Sequence, residues 1–162
     1  MKYQWSDYTK EHSALVESWL DDEARRLTGM DNGWDEFYEY WKNEPDMTLG
    51  KNYWCKVISE NGLPFAAIAL TLYEGKLTVM EYLVDSGRRN LGLGSSALCE
   101  LMESGRDIIG SDIGLAEAVI FPNNKPSQRT FEKAGFRFLS ANSDGDAWYY
   151  RYERQKYKRH KR

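Results

Sequence analysis

Two dipeptides, Asn61-Gly62 and Glu74-Gly75, constrain this chain more than any other feature in it. Each separates runs with strand character, Tyr53 to Glu60, Pro64 to Tyr73 and Lys76 to Asp85, and so short a turn joins its flanking runs as a hairpin. The three runs therefore predict an antiparallel meander. Before Gly50 the periodicity is helical instead. Leu15, Val16, Trp19 and Leu20 recur at spacings of three and four, and Trp34, Phe37, Tyr38 and Trp41 repeat the pattern, which predicts two or three short helices.

Beyond the meander, Leu98, Leu101, Met102, Gly105, Ile108 and Ile109 share one helical face and Gly110 is placed to stop it, so a single long helix is expected over Ser95 to Ile109. Leu115 to Phe121 reads as a buried strand and Pro126 to Ala134 as a short helix ended by Gly135. A last pair of strands, Phe136 to Leu139 and Ala147 to Tyr152, flanks the turn around Asn142 to Asp146. The expected class is α+β, with a mixed, mostly antiparallel central sheet flanked by helices. At 162 residues and 41% hydrophobic content, with no Pro/Gly/Ser-rich linker, residues 1–153 read as a single domain and 154–162 as a basic tail.

Composition excludes several classes. The N-terminus has neither a basic n-region nor a long apolar core, and the most apolar stretch, Phe65 to Leu72, is too short to span a bilayer, so a membrane role is not expected and the chain reads as cytoplasmic. Cys55 and Cys99 lack metal-ligand spacing and read as two reduced thiols; no metal site is suggested. The net charge of −3 is unevenly spread: residues 1–50 hold twelve Asp/Glu against five Lys/Arg, net −7, and residues 151–162 hold seven Lys/Arg against one Glu, net +6. The basic end reads as a solvated terminus rather than a nucleic-acid contact. Oligomeric state is left open, a homodimer included.

The segment Arg89-Asn90-Leu91-Gly92-Leu93-Gly94-Ser95 opens the expected helix. Unpaired N–H groups at such a turn, with the positive end of the helix dipole behind them, make an anion site, and Gly92 and Gly94 leave room for close approach. Glycines here also suit a plain tight turn. A P-loop is excluded because no lysine follows Gly94. A Rossmann fingerprint, which Gly92-Leu93-Gly94-Ser95-Ser96-Ala97 would match, should follow its strand directly in a first βαβ unit; here it comes after three antiparallel strands and the spacer Ser86 to Leu91. A nicotinamide-dependent oxidoreductase thus stands as a weaker alternative.

Tyr82-Leu83-Val84-Asp85-Ser86-Gly87-Arg88-Arg89-Asn90-Leu91-Gly92-Leu93-Gly94-Ser95 resembles the acetyl-CoA-binding motif of the GNAT superfamily of N-acetyltransferases, a strand leading into Arg/Gln-x-x-Gly-x-Gly/Ala and a helix. About thirty residues on, Asn124-Lys125-Pro126-Ser127-Gln128-Arg129-Thr130-Phe131-Glu132-Lys133-Ala134-Gly135-Phe136 is similar to the downstream motif Asn-x-x-Ser-x-x-x-Tyr-x-Lys-x-Gly-Phe. The resemblance implies a GNAT-like fold and acetyl-CoA as cosubstrate. It implies that the backbone of Leu83 and Val84 pairs with pantetheine amides, that Arg89, Asn90, Leu91, Gly92, Leu93, Gly94 and Ser95 hold the pyrophosphate, and that Asn124 and Ser127 line the pantetheine arm. In one departure, Phe131 stands where the family often has a tyrosine able to return a proton to the thiolate. That role then falls to water or to Tyr149 or Tyr150. A non-catalytic acyl-CoA-binding regulatory module is the alternative this departure keeps open.

The implied chemistry, direct attack of an amine on a thioester, needs a base for an ammonium group. His12 on an N-terminal helix and His160 in the tail are poorly placed, which leaves a carboxylate or a water chain. Glu81, on the strand entering the loop, is the candidate, with Tyr149 as candidate acid. The N-terminal carboxylates Asp21, Asp22, Glu23, Asp31, Asp35, Glu36, Glu39, Glu44 and Asp46 interleave with Trp34, Phe37, Tyr38, Tyr40 and Trp41. This is either an ordinary amphipathic helix pair or a pocket for a small cationic amine such as a polyamine or aminoglycoside. Trp19-Leu20-Asp21-Asp22 followed by Arg25-Arg26 is similar to the start of aminoglycoside and ribosomal-protein N-acetyltransferases. A peptide amine stays open too.

Overall fold

The structure, a computed structural model, describes residues 1–155; the tail beyond, including His160, lies outside the described residues. The elements are β1 (Gln4–Asp7), a 3-10 turn (Lys10–His12), α1 (Ser13–Trp19), α2 (Asp22–Thr28), α3 (Trp34–Lys42), β2 (Tyr53–Glu60), β3 (Leu63–Tyr73) and β4 (Lys76–Val84). They continue as a second 3-10 turn (Ser86–Arg88), α4 (Leu93–Glu103), α5 (Gly105–Ile109), β5 (Leu115–Ile120), α6 (Lys125–Lys133), β6 (Arg137–Ala141) and β7 (Trp148–Glu153). The seven strands form one sheet in the order β1-β2-β3-β4-β5-β7-β6, antiparallel throughout except for the β4–β5 pair.

The meander forms as its turns dictate. Asn61 and Gly62 take φ of 52° and 78°, and Glu74 and Gly75 take 50° and 80°, the paired left-handed values whose twist matches that of the flanking strands. Residues 65–70 of β3 are fully buried on both faces. Phe65, Ile68 and Leu70 join a core with Leu98, Leu101 and Met102 of α4, while Ala67 and Ala69 join a second core with Val16, Trp19, Trp34 and Tyr38 of α1 and α3. The sheet thus has α4–α6 on one face and α1–α3 on the other, and the small alanines let α1–α3 lie close.

Two local expectations are corrected. The long helix is broken at Ser104 (φ −120°, ψ 31°) into α4 and α5, because a Cβ on Gly105 would lie 2.5 Å from the Ser111 carbonyl oxygen and 2.8 Å from Ile113. The chain turns where only glycine clears the returning segment. The N-terminal region also contributes a strand besides its helices: β1 pairs Gln4–Asp7 with Lys56–Ser59, and Glu100 of α4 accepts from the Lys2 and Tyr3 amides and from Trp5 Nε1 at 2.8 Å. Cys55 and Cys99 are both free thiols. Among the described residues no helix is long and apolar enough to cross a membrane.

Candidate active site

The site begins with a defect in strand pairing. Ala69 of β3 faces Glu81, whereas Leu70 faces Val79, so Met80 is an extra residue in β4. Such a bulge bends its strand and turns successive side chains to one side. β4 and β5 run parallel only from Lys76 to Val79 against Leu115 to Ala118, and beyond that row they part. A cleft opens between them, lined by Met80, Glu81 and Tyr82 on one wall, Val119, Ile120 and Phe121 on the other, with Leu27, Thr28, Ser127 and Phe131 closing it.

Parallel strands bring the N-termini of the helices that follow them to the same end. α4 starts at Leu93 after Gly92 (φ 78°) and Asn90 (φ 67°), both in the left-handed region that turns the loop back on itself. Leu93, Gly94 and Ser95 have no carbonyl four residues back in the helix to take their N–H groups, which therefore face the groove. A Cβ on Gly94 would come within 3.3 Å of Thr130 and 3.4 Å of Val84, so glycine there lets α4 sit against α6 and β4. Arg88, Arg129 and Lys133 line the same groove. α6 is capped by Asn124, whose Oδ1 accepts from Ser127 N at 3.2 Å. Donors and cations along a narrow groove running into the β4–β5 cleft suit an extended ligand with a charged end.

α2 forms the opposite wall, with Glu23, Ala24, Leu27 and Thr28 facing the groove. Asp21 caps it by accepting from Ala24 N at 2.8 Å. The Arg89 guanidinium, at the edge of the groove, donates to Val84 O at 3.3 Å and Trp19 O at 3.2 Å, with Asp21 Oδ2 at 3.4 Å. Asn124 Nδ2 donates to Leu27 O at 3.4 Å, at the other end of α2.

Glu81 is half-buried in the cleft wall. Burial alone pushes its carboxyl up to about 8, and no cation among the described residues offsets it. By contrast Glu117, on β5, is held below the ordinary carboxylate range by Arg151 and Lys76, which bond it and outweigh its burial.

A family model for GNAT acetyltransferases matches residues 6–136. The chain belongs to the GNAT acetyltransferase family. As a GNAT member it is an acetyltransferase that takes acetyl-CoA as cosubstrate, and the nicotinamide-dependent reading falls. No curated protein matches the chain in sequence at a significant level. Among solved structures, AAC(6')-Ib in complex with paromomycin and acetyl-CoA superposes with a TM-score of 0.72 at 18% identity, over 100% of this chain and 99% of that one. An acetyltransferase from Thermus thermophilus gives 0.71 at 18%, over 95% and 98%. The ribosomal-protein-S18-alanine N-acetyltransferase from Escherichia coli gives 0.60 at 14%, over 93% of each. At these identities the likeness is one of fold.

Within this GNAT fold the residues singled out from sequence separate clearly. Leu83, Val84, Arg89, Asn90, Gly92, Leu93, Gly94, Ser95, Asn124 and Ser127 all line the groove, whereas the Leu91 side chain, 68% exposed, points to solvent. Glu81 lines the cleft. Tyr149 does not; it lies on β7 opposite Val119, on the sheet face away from α4–α6, while Tyr150 is buried beneath the α6 side. Phe131 packs edge-on against Tyr82, centroids 6.2 Å apart, and no hydroxyl stands at that position. Trp34 and Tyr38 are closed into the core, and Asp35 and Glu39 of α3 lie within 4 Å of Lys10, so α3 contributes no wall to the cleft. Tyr82, whose hydroxyl donates to Gly94 O at 2.8 Å, and Thr28 were not anticipated; only the three-dimensional parting of β4 from β5 exposes them.

Proposed function

We propose that the protein acetylates a primary amine on a small cationic molecule, of the polyamine or aminoglycoside class, by direct attack in the β4–β5 cleft, with Glu81 as general base. The observation that carries this reading is the Glu81 carboxyl itself, set in the cleft wall and pushed up to about 8 by burial. An alkylammonium near 10.4 gives its proton to an ordinary carboxylate only against about 8 kcal/mol, but to one near 8 against about 3 kcal/mol.

Acetyl-CoA supplies the thioester carbonyl carbon to be attacked. The N–H groups of Leu93, Gly94 and Ser95, with Arg88, Arg129 and Lys133, would hold its phosphates, and the edge of β4 at Leu83 and Val84, with Ser127, would line its arm. Because Phe131 has no proton to give and Tyr149 lies outside the cleft, the proton returned to the departing sulfur comes from water. Glu23 on the groove wall and Glu81 in the cleft give an acceptor two carboxylates to approach.

The test is thiol release from acetyl-CoA with a panel of monoamines, polyamines, aminoglycosides, peptides and acidic amines. Cationic polyamines or aminoglycosides should give the highest kcat/KM, rising with pH through about 8. Glu81→Gln should lower kcat/KM about a hundredfold and remove that rise while leaving CoA affinity intact. An unaltered pH–rate profile in the variant sinks the role of Glu81. A best substrate that is neutral or acidic away from its reacting amine sinks the acceptor class, and no release with any amine favours an acyl-CoA-binding module.

A further inference from the structure

α2 is a seven-residue helix that walls both the cofactor groove and the cleft, yet Ala24 is its only buried residue. A helix this short does not persist by propensity, and with one small side chain in the core, packing does not hold it either. Polar tethers hold it: Arg25 within the helix donates to Leu20 O at 3.1 Å and Asp31 O at 2.9 Å, and each end carries a further one. At its start, one guanidinium joins three separate segments: Arg89 Nε donates to Val84 O at the end of β4, Nη2 to Trp19 O at the end of α1, and Nη1 lies 3.4 Å from Asp21 Oδ2 at the α2 cap. At its end, Asn124 Nδ2 donates to Leu27 O at 3.4 Å.

We propose that Arg89 is a positioning residue for the acceptor side of the site: it ties α2 to the cofactor loop and so sets the wall formed by Leu27 and Thr28, and it does not serve as a ligand of the cofactor phosphates. Its three donor nitrogens face protein acceptors; of the other groove cations, Arg88 lies 3.8 Å from Asp85, and Arg129 and Lys133 are exposed and open to an anion. The arrangement needs the planar fork of arginine, because a single ammonium cannot reach three acceptors in different directions. The inference builds on the reading of the cleft as the transfer site, but exchange and CoA binding can be measured with no acceptor present, so its outcome stands apart from that reading.

The experiment compares Arg89→Met, Arg89→Lys and Asp21→Asn with the parent protein by hydrogen–deuterium exchange over residues 22–28 and by CoA titration calorimetry. Asp21→Asn keeps the cap and removes only the charge, so it remains informative where the arginine variants fold poorly. Exchange in α2 should rise about tenfold in both arginine variants, the worth of one charge-assisted hydrogen bond, and by about twofold to threefold in Asp21→Asn. Where an acceptor is in hand, its KM should rise about tenfold in Arg89→Met and Arg89→Lys alike, with kcat changed less. A CoA affinity that falls in Arg89→Met and is restored in Arg89→Lys identifies a phosphate ligand and overturns the proposal, whatever α2 does. Unchanged α2 exchange in all three variants overturns it as well.

Discussion

Glu81 carries a thermodynamic signature that does not depend on finding a substrate. Its carboxyl titrates near 4.5 when the chain is unfolded and near 8 when folded. The folded state therefore binds the proton more tightly, the associated stability is fully present below about 4.5, and it is lost as pH rises through about 8. Glu81→Gln carries no such charge, so its Tm at pH 9 should exceed that of the parent by about 3 °C or more, with the two converging near pH 4.5, in scanning calorimetry. Equal Tm at both pH values would mean that the carboxyl is solvated. At this scale the sequence located residues better than it located their partners. Arg89 and Asn124 could be placed beside the groove from their motifs, but their side chains bond to groups 68 to 97 residues away, and no local pattern encodes those pairings.

At the scale of elements, α3 depends on a cap supplied from another helix. Glu17 of α1 accepts from the amides of Trp34 and, at 3.1 Å, Asp35, the first two residues of α3. Gly33 takes φ of 92°, and a Cβ there would fall 2.4 Å from Glu17 Oε2, so the carboxylate fills the place a side chain would occupy. Glu17→Ala should cost about 1–2 kcal/mol, lowering Tm by a few degrees, with Glu17→Gln retaining about half of the loss; a Tm within a degree of the parent in the alanine variant would show the cap to be idle. The hairpins, β5 and α6 were legible because turn chemistry and periodicity are local. β1 was not, since Gln4–Asp7 has one half-buried residue and takes its strand form from pairing with β2. The break at Ser104 was hidden because its cause, the Ser111 carbonyl packed on Gly105, comes from the tertiary return of the chain.

For the whole molecule, charge is segregated along the sequence and follows the fold. The first fifty residues, net −7, form β1, α1–α3 and the segments joining them, while Arg88, Arg129 and Lys133 gather at the groove beside α4. Exposed charges act collectively and weaken with salt. Raising ionic strength from about 0.02 to 0.3 M should therefore raise the KM of a polyamine several-fold more than that of a monoamine. Identical salt responses would reduce the acidic helices to a solvated surface. The sequence conveyed the class of fold and the place of the glycine loop ahead of α4. It could not convey which face of α3 is open, because aromatic residues with acidic neighbours describe a buried helix face and an open cage equally well, and Trp34 and Tyr38 prove to be buried.

The bulge at Met80 has a consequence for how such a protein can change. The gap between β4 and β5 is made by main-chain geometry, one surplus residue and a parallel pairing only four rows long, and owes little to the particular side chains on its rim. Val119, 50% exposed, and Phe121, 40% exposed, line that rim without bracing it. Substitutions there can redraw the opening, which on the proposed reading faces the acceptor, while the opening itself persists. Novelty in substrate choice is thereby separated from the risk of losing the cleft.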